Sequence, residues 1–266
     1  MKDKVVVITG ASSGIGAALA QATGARGAKP VLVARREVQL REAAARSGAD
    51  AFVVVADVTR REDVARMRDA ALARFGQIDV WVNNAGRGIT RPVSELTDED
   101  FDEMMLVNVK SALYGMQAVL PHFKQRGSGH IVNVSSMLGR IPFAPQRSAY
   151  AAAKHALNSL TANLRMELAG GFPGINVSSV FPGIVATDFG LNSRHGGFDS
   201  RQATGAQTAD EVASVIANLI ERPHAEAYTR PGSQQAVVRY YAAEDITRVE
   251  QEVAFVPPGP AALPRT

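Results

Sequence analysis

The chain of 266 residues contains no cysteine. Disulfides, thiolate nucleophiles and cysteine-ligated zinc are thereby excluded, and a reducing compartment is permitted. Neither sign of charge dominates: 29 Lys and Arg stand against 26 Asp and Glu, a net charge of +3. These charges are interspersed and form no basic stripe, so nucleic acid is not an expected partner. Long apolar runs are also missing. Stretches such as 51–56, AFVVVA, fall far short of the roughly 20 residues a membrane helix requires, and no membrane association is expected. The opening MKDKVVVITG has no signal-peptide pattern before its first apolar run, which points to the cytoplasm. The five histidines, at 122, 130, 155, 195 and 224, show neither HExxH spacing nor neighbouring aspartate clusters, so no metal is expected.

What is present reads as a globular α/β chain. Hydrophobic residues make up 46% and charged residues 21%, close to soluble averages. Short β-branched runs at 5–9, 31–34, 51–55, 80–83, 130–134 and 176–181 alternate with helical stretches near 14–27, 36–47, 60–75, 98–124 and 148–169. Continuous apolar strands separated by helices predict a doubly wound, mostly parallel sheet, buried on both faces. A weaker last unit follows, with a helix over 209–221 and a strand at 225–229. No linker divides residues 1–230, so they are expected to form one domain. Residues 188–207, rich in Gly, Ser and Asn around Phe189 and Phe198, suit a mobile substrate flap. Residues 231–266 form a C-terminal extension. A helix is expected over 235–254, with Val238, Tyr241, Ile246, Val249 and Val253 packing on this subunit or a partner, before a disordered PPGPAALPRT end.

Three places carry chemistry. The first strand enters Thr9-Gly10-Ala11-Ser12-Ser13-Gly14-Ile15-Gly16 and then an Ala-rich helix. Glycines there let the backbone approach a pyrophosphate, and the helix N-terminus favours its charge. The second strand ends in Ala34-Arg35-Arg36, where a dinucleotide site built for NAD would offer an acid to the adenosine ribose. An arginine there suits a 2′-phosphate instead, so NADP(H) is expected over NAD(H), with Arg35 as the clamp and Arg36 as its helper. Asp57 and the run Asn83-Asn84-Ala85-Gly86 follow the third and fourth strands, at the ends where open α/β sheets bind ligands.

The third place holds Ser136, Tyr150 and Lys154. Tyr150 and Lys154 stand four apart in a helical stretch and share a face. A neighbouring cation favours phenolate and is expected to draw the phenol down from its ordinary value near 10. Ser136, just past the fifth strand, can hold a carbonyl oxygen by hydrogen bond while the tyrosine proton moves.

Together, TGASSGIG at 9–16, NNAG at 83–86, Asn108, SSMLG at 135–139, YAAAK at 150–154 and PGIVATD at 182–188 resemble the single-domain short-chain dehydrogenase/reductase family, over about residues 4–229. The resemblance implies a Rossmann-type fold and an NADP-dependent oxidoreductase, a carbonyl reductase exchanging hydride with a carbonyl or secondary alcohol. By it, Tyr150 is the acid/base, Lys154 holds the nicotinamide ribose and tunes the phenol, Ser136 positions the carbonyl, and Asn108 links the lysine to a water relay. It assigns cofactor contacts to Gly10, Ser12, Ser13, Gly14, Ile15 and Gly16, to Asp57 and Val58, and to Asn84, Ala85 and Gly86. Pro182, Gly183, Ile184 and Thr187 join Tyr150 and Lys154 in that set. It also implies a homodimer or homotetramer paired through the helical stretches 98–124 and 148–169.

Met137, Leu138, Phe143 and Pro145, residues 87–89 and the flap are expected to wall the substrate, which suggests a small hydrophobic ketone, aldehyde or alcohol. Arg194, His195 and Arg201 offer a weaker alternative, an acidic substrate greeted by the flap. Two further readings stay open: an NAD-linked secondary alcohol dehydrogenase of the same fold, and a dinucleotide-binding sensor without turnover.

Overall fold

A computed structural model describes residues 1–253; the PPGPAALPRT end lies outside them. Seven strands, β1 (Val5–Thr9), β2 (Lys29–Ala34), β3 (Phe52–Val55), β4 (Val80–Asn83), β5 (Gly129–Val134), β6 (Ile175–Phe181) and β7 (Glu226–Tyr228), form one sheet in the order β3-β2-β1-β4-β5-β6-β7. Every pairing is parallel. The strands match the apolar runs to within two residues because the central ones are buried on both faces and the edge strands β3 and β7 on one side or in part. Alternate residues divide between two cores: Val6 and Ile8 of β1 enter one with Val80, Val132 and Val180, while Val5 and Val7 enter the other with Val31, Trp81 and Ile131.

Helices cover both faces. On one lie α1 (Gly14–Ala25), α2 (Glu37–Ala45) and, later in the chain, α7 (Ala209–Glu221); on the other lie α3 (Arg61–Phe75), α5 (Ser111–Arg126) and α6 (Ser148–Ala169). The single helix expected over 98–124 is instead α4 (Asp98–Met105), a π-helical turn at Leu106–Lys110 and α5. Asn108 sits in that turn. Its Nδ2 donates to the carbonyls of Met104 and Arg87, the bulge letting one amide serve helix and loop together. α7 starts where its sequence says it should: Thr208 Oγ1 accepts from the Glu211 amide, and the Glu211 carboxylate accepts from the Thr208 amide in return.

The extension also differs from expectation. It forms α8 (Ser233–Tyr241) and α9 (Ile246–Val253), interrupted at residues 242–245. Its packed face is Val237, Tyr240 and Val249, which meet Met137, Ile141 and Phe181. Val238, Tyr241 and Ile246 are instead exposed, although the Tyr241 hydroxyl still donates to the Arg140 carbonyl at 2.8 Å.

The centre of the sheet is fixed by a buried polar chain. Trp81 Nε1 donates to Asn83 Oδ1 (2.8 Å), Asn83 Nδ2 to Asn133 Oδ1 (2.8 Å), and Asn133 Nδ2 to Thr161 Oγ1 (2.9 Å). It ties β4 to β5 and β5 to α6, on whose ends the chemistry-bearing residues stand. Removing the middle link orphans a buried donor and a buried acceptor. Asn133→Ala should therefore lower stability by about 2–4 kcal/mol, read as a lower urea midpoint at unchanged slope.

Candidate active site

The strand order reverses direction between β1 and β4, and a crevice opens there at the strand C-terminal ends. It continues into a cavity of about 620 Å³ that reaches from the glycine loop to α6. Gly10 is in the left-handed region (φ 68°), and a Cβ there would lie 2.9 Å from Ala85 Cα. A Cβ on Gly16 would lie 2.4 Å from the Gly10 carbonyl oxygen. Both positions thus accept hydrogen alone, and they bring the loop down onto NNAG. Asn84 completes the join, its Nδ2 donating to the Thr9 carbonyl at 2.9 Å, while Thr9 Oγ1 accepts from the amides of Asn84 and Ala85.

Ser13, the N-cap of α1, makes no side-chain cap and the first turn holds no acid. The helix therefore presents uncapped amides to the cavity, a site for an anion. Gly10, Ser12, Ser13, Gly14 and Ile15 line it. Gly16 does not; its part is the close approach just described. Across the crevice stand Asn84, Ala85 and Gly86, then Pro182, Gly183, Ile184 and Thr187.

The two arginines exchange the parts expected of them. Arg36 Nη2 donates to both Ser12 Oγ (3.1 Å) and Ser13 Oγ (2.8 Å), so its guanidinium lies across the glycine loop. Arg35 is largely exposed and reaches Asp57 Oδ2 at 3.9 Å. Asp57 and Val58 line the cavity, but Asp57 Oδ1 already accepts from the amide and hydroxyl of Thr59. Asp57 is thus a turn residue as well as a wall.

At the other end Ser136, Tyr150 and Lys154 share one wall. Ser136 Oγ accepts from the Leu138 amide (3.1 Å), which leaves its hydrogen to donate. The neighbouring Ser135 Oγ is directed to the backbone of α6, at the Lys154 carbonyl. The Lys154 ammonium donates to the Val134 carbonyl at the end of β5, 2.9 Å away, and burial pulls its pKa down to about 8. Burial likewise pushes the Tyr150 phenol up to about 12, against the opposing pull of the Ser136 hydroxyl and the positive charge of Arg147. The expectation that Lys154 draws the phenol toward neutrality is not met: desolvation outweighs it, and the cation acting on the phenol is Arg147. Asn108 Oδ1 accepts from the Arg87 amide. With its amide hydrogens given to carbonyls, Asn108 fixes the loop at Arg87 and makes no direct hydrogen bond to Lys154.

Met137, Leu138 and Phe143 wall the cavity as expected, whereas Pro145 faces outward and Ala144 takes its place. Arg87 also lines it, ion-paired with Glu103, but Gly88 and Ile89 do not. From the flap come Phe189, whose ring meets Tyr150 edge-on at 5.5 Å, and Phe198. The flap charges do not greet a ligand. Arg194 is paired with Asp100 and Glu103, His195 with Asp100, and Arg201 with Asp188 and Asp199. Burial raises the Asp100 pKa, but hydrogen bonds from His195 and Arg194 more than offset it and hold the carboxyl at about 2. With the Arg194 amide also donating to the Gly88 carbonyl and the Arg194 carbonyl accepting from the Thr90 amide, the first half of the flap is fastened rather than loose. Arg147 also lines the cavity. No motif marks it, and nothing in residue spacing could have found it.

Comparison with known proteins places the chain among enzymes. The sequence model of short chain dehydrogenases matches residues 4–196. An uncharacterized oxidoreductase of Staphylococcus epidermidis is 40% identical over 196 residues, covering 71% of this chain and 84% of its own. The structure of an alcohol dehydrogenase from Thermococcus sibiricus, complexed with 5-hydroxy-NADP, superposes with a TM-score of 0.75 at 31% identity, over 85% of this chain and 96% of that one. A short chain dehydrogenase/reductase of Burkholderia phymatum in complex with NAD gives a TM-score of 0.82 at 27% identity, over 98% and 99%.

If Asp100 is the anchor of the flap, Asp100→Ala should release it. Limited trypsin digestion should then cut at Arg194 or Arg201 several-fold faster than in the wild type, with unchanged cleavage as the outcome that refutes the anchor.

Proposed function

From the premise that this chain belongs to the short chain dehydrogenase family, we propose that it is an NADP-dependent carbonyl reductase with Tyr150 as its acid/base. The observation that carries this reading is one continuous cavity, with the uncapped start of α1 at one end and Ser136, Tyr150 and Lys154 together at the other. A nicotinamide dinucleotide fits it. Gly10 leaves no room for a side chain where the loop meets Ala85, and the free amides of α1 suit a pyrophosphate. The two residues that follow β2 are arginines, the next acid, Glu37, is held by Arg41, and Arg36 already lies over the Ser12 and Ser13 hydroxyls, where a 2′-phosphate can share its remaining donors. Pro182, Gly183, Ile184 and Thr187 would hold the nicotinamide end. When bound, the cofactor supplies the hydride.

The protein's own part is to place and protonate the carbonyl. Ser136 donates its free hydrogen to the substrate oxygen, and Tyr150, protonated throughout the neutral range, gives its proton to that oxygen as charge develops there. Lys154 commits one ammonium hydrogen to Val134 and keeps two for the cavity. Arg147 stabilises the phenolate that remains. The apolar walls at Met137, Leu138, Phe143 and Phe189 favour a hydrophobic ketone, aldehyde or alcohol. Pairing into a dimer or tetramer belongs to the same proposal, supported by the exposed Phe101 and Met166 on α4 and α6. No helix among the described residues is long and apolar enough to cross a membrane.

Three outcomes test this. Tyr150→Phe should retain dinucleotide binding by fluorescence titration and lose most turnover with any accepted carbonyl, while wild-type turnover in it refutes the acid. Arg36→Ala should lose kcat/KM with NADPH by tenfold or more, of the order of one charge-assisted hydrogen bond, and change little with NADH; an equal effect on both removes the clamp. For reduction, kcat/KM should fall as pH rises past about 8, where Lys154 loses its charge, well before the phenol titrates at about 12. In Lys154→Arg, which stays charged, that alkaline limb should move upward.

A further inference from the structure

Three cations line the cavity without a carboxylate, Arg36, Arg147 and Lys154. The reading above employs Arg36 at the glycine loop and Lys154 at the phenol and the dinucleotide, but it leaves most of Arg147 unexplained. Arg147 is 8% exposed, stands at the N-cap of α6 three residues before Tyr150, and faces the cavity. Its Nη1 donates to Ser193 Oγ (2.6 Å) and the Ile89 carbonyl (3.2 Å). Among the described residues nothing accepts from its Nε or Nη2, and it forms no ion pair. The three acids of the cavity wall are otherwise engaged: Asp57 with Thr59 and Arg35, Glu103 with Arg87 and Arg194, Asp188 with Arg201.

A buried charge without a counterion is costly. Burial pulls the Arg147 pKa down, yet a guanidinium stays ionised in proteins. A mere latch between Ser193 and Ile89 needs neither a full charge nor two further donors left without an acceptor. What satisfies both is an anion that enters from solvent with the substrate. The pyrophosphate cannot be it, because its site at α1 is at the opposite end of the cavity.

We infer that Arg147 determines specificity, its two open donors gripping a carboxylate carried by the substrate, so that the preferred substrate is an apolar oxo acid. This rests on the oxidoreductase reading and narrows it. The carboxylate would lie at Arg147, the ketone oxygen one helical turn further on at Tyr150, and the apolar remainder against Met137, Phe143, Phe189 and Phe198. Acidic substrates were expected from the sequence at Arg194, His195 and Arg201, all of which are paired; the acid-free cation left for one is Arg147.

The test compares oxo acids having the carboxylate one, two or three carbons from the ketone, each beside its methyl ester, in wild type, Arg147→Met and Arg147→Lys. In the wild type the best-accepted acid should exceed its ester in kcat/KM by about tenfold or more, the scale of a charge-assisted hydrogen bond, with most of the difference in KM. The ratio should fall toward one in Arg147→Met and be intermediate in Arg147→Lys, which keeps charge but not the fork. Taking the ratio within each variant cancels any general loss, and dinucleotide binding checks the fold. Should Arg147→Met not fold, the wild type still decides: benzoate should compete with a neutral ketone and benzamide should not. Acid and ester turned over equally by the wild type, a preference surviving in Arg147→Met, or equal inhibition by benzoate and benzamide overturns the inference. A wild type that reduces neither acids, esters nor neutral ketones overturns the oxidoreductase reading beneath it.

Discussion

The hydrogen bond from the buried Lys154 ammonium to the Val134 carbonyl is the contact on which the site's geometry depends. It fastens the first turns of α6 to the end of β5, and in doing so sets Tyr150 against Ser136, which follows that strand. The ammonium has no acid to answer it, so burial lowers its pKa to about 8, and its remaining donors face a cavity they share with another acid-free cation, Arg147. Such a cavity is prepared for oxygen-rich, anionic contents. The glycine loop adds uncapped amides and Arg36 at the far end, which extends the same positive character along the whole crevice.

The fold itself explains why chemistry collects there. All seven strands are parallel and the central ones are buried on both faces, so their interiors are occupied mainly by packing residues and the loops at their ends hold the polar groups in reach of solvent. Besides the buried His130–Ser178 pair, the sheet holds a polar chain from Trp81 through Asn83 and Asn133 to Thr161. Every member has a partner, which is the condition for a polar network to rigidify a core rather than weaken it. It lies directly beneath the loops that carry Asn84, Ser136 and α6, and holds their starting points in register.

Strands, helices and motif residues were legible in the sequence because each rests on a local signal: continuous β-branched runs, a capping box, glycines at fixed offsets. Features that depend on tertiary geometry were not. The break of 98–124 at a π-helical turn follows from Asn108 bonding to a distant loop, and the division of the extension at 242–245 from the position of the 137–143 segment beneath it. Arg35 and Arg36 are adjacent, and spacing alone cannot say which turns over the glycine loop. The flap's arginines looked free because the acids that hold Arg194, Asp100 and Glu103, lie some ninety residues earlier. Arg147 had no motif at all, and its significance is a matter of burial and of acids that are elsewhere engaged.

The same electrostatics set the direction in which the proposed site stands ready. With the phenol at about 12 and the ammonium at about 8, both groups carry their protons at neutral pH, the loading that carbonyl reduction consumes. Oxidation of an alcohol must begin from phenolate, which burial makes scarce. A buried tyrosine is a reluctant acid, so the phenolate formed by proton transfer has to be stabilised from within the cavity, and Arg147 is the cation that already lowers its cost. A substrate carboxylate seated on Arg147 would offset part of that positive charge. An oxo acid would thus gain in binding while yielding some help to the phenolate, which places its advantage over a neutral ketone in KM rather than kcat.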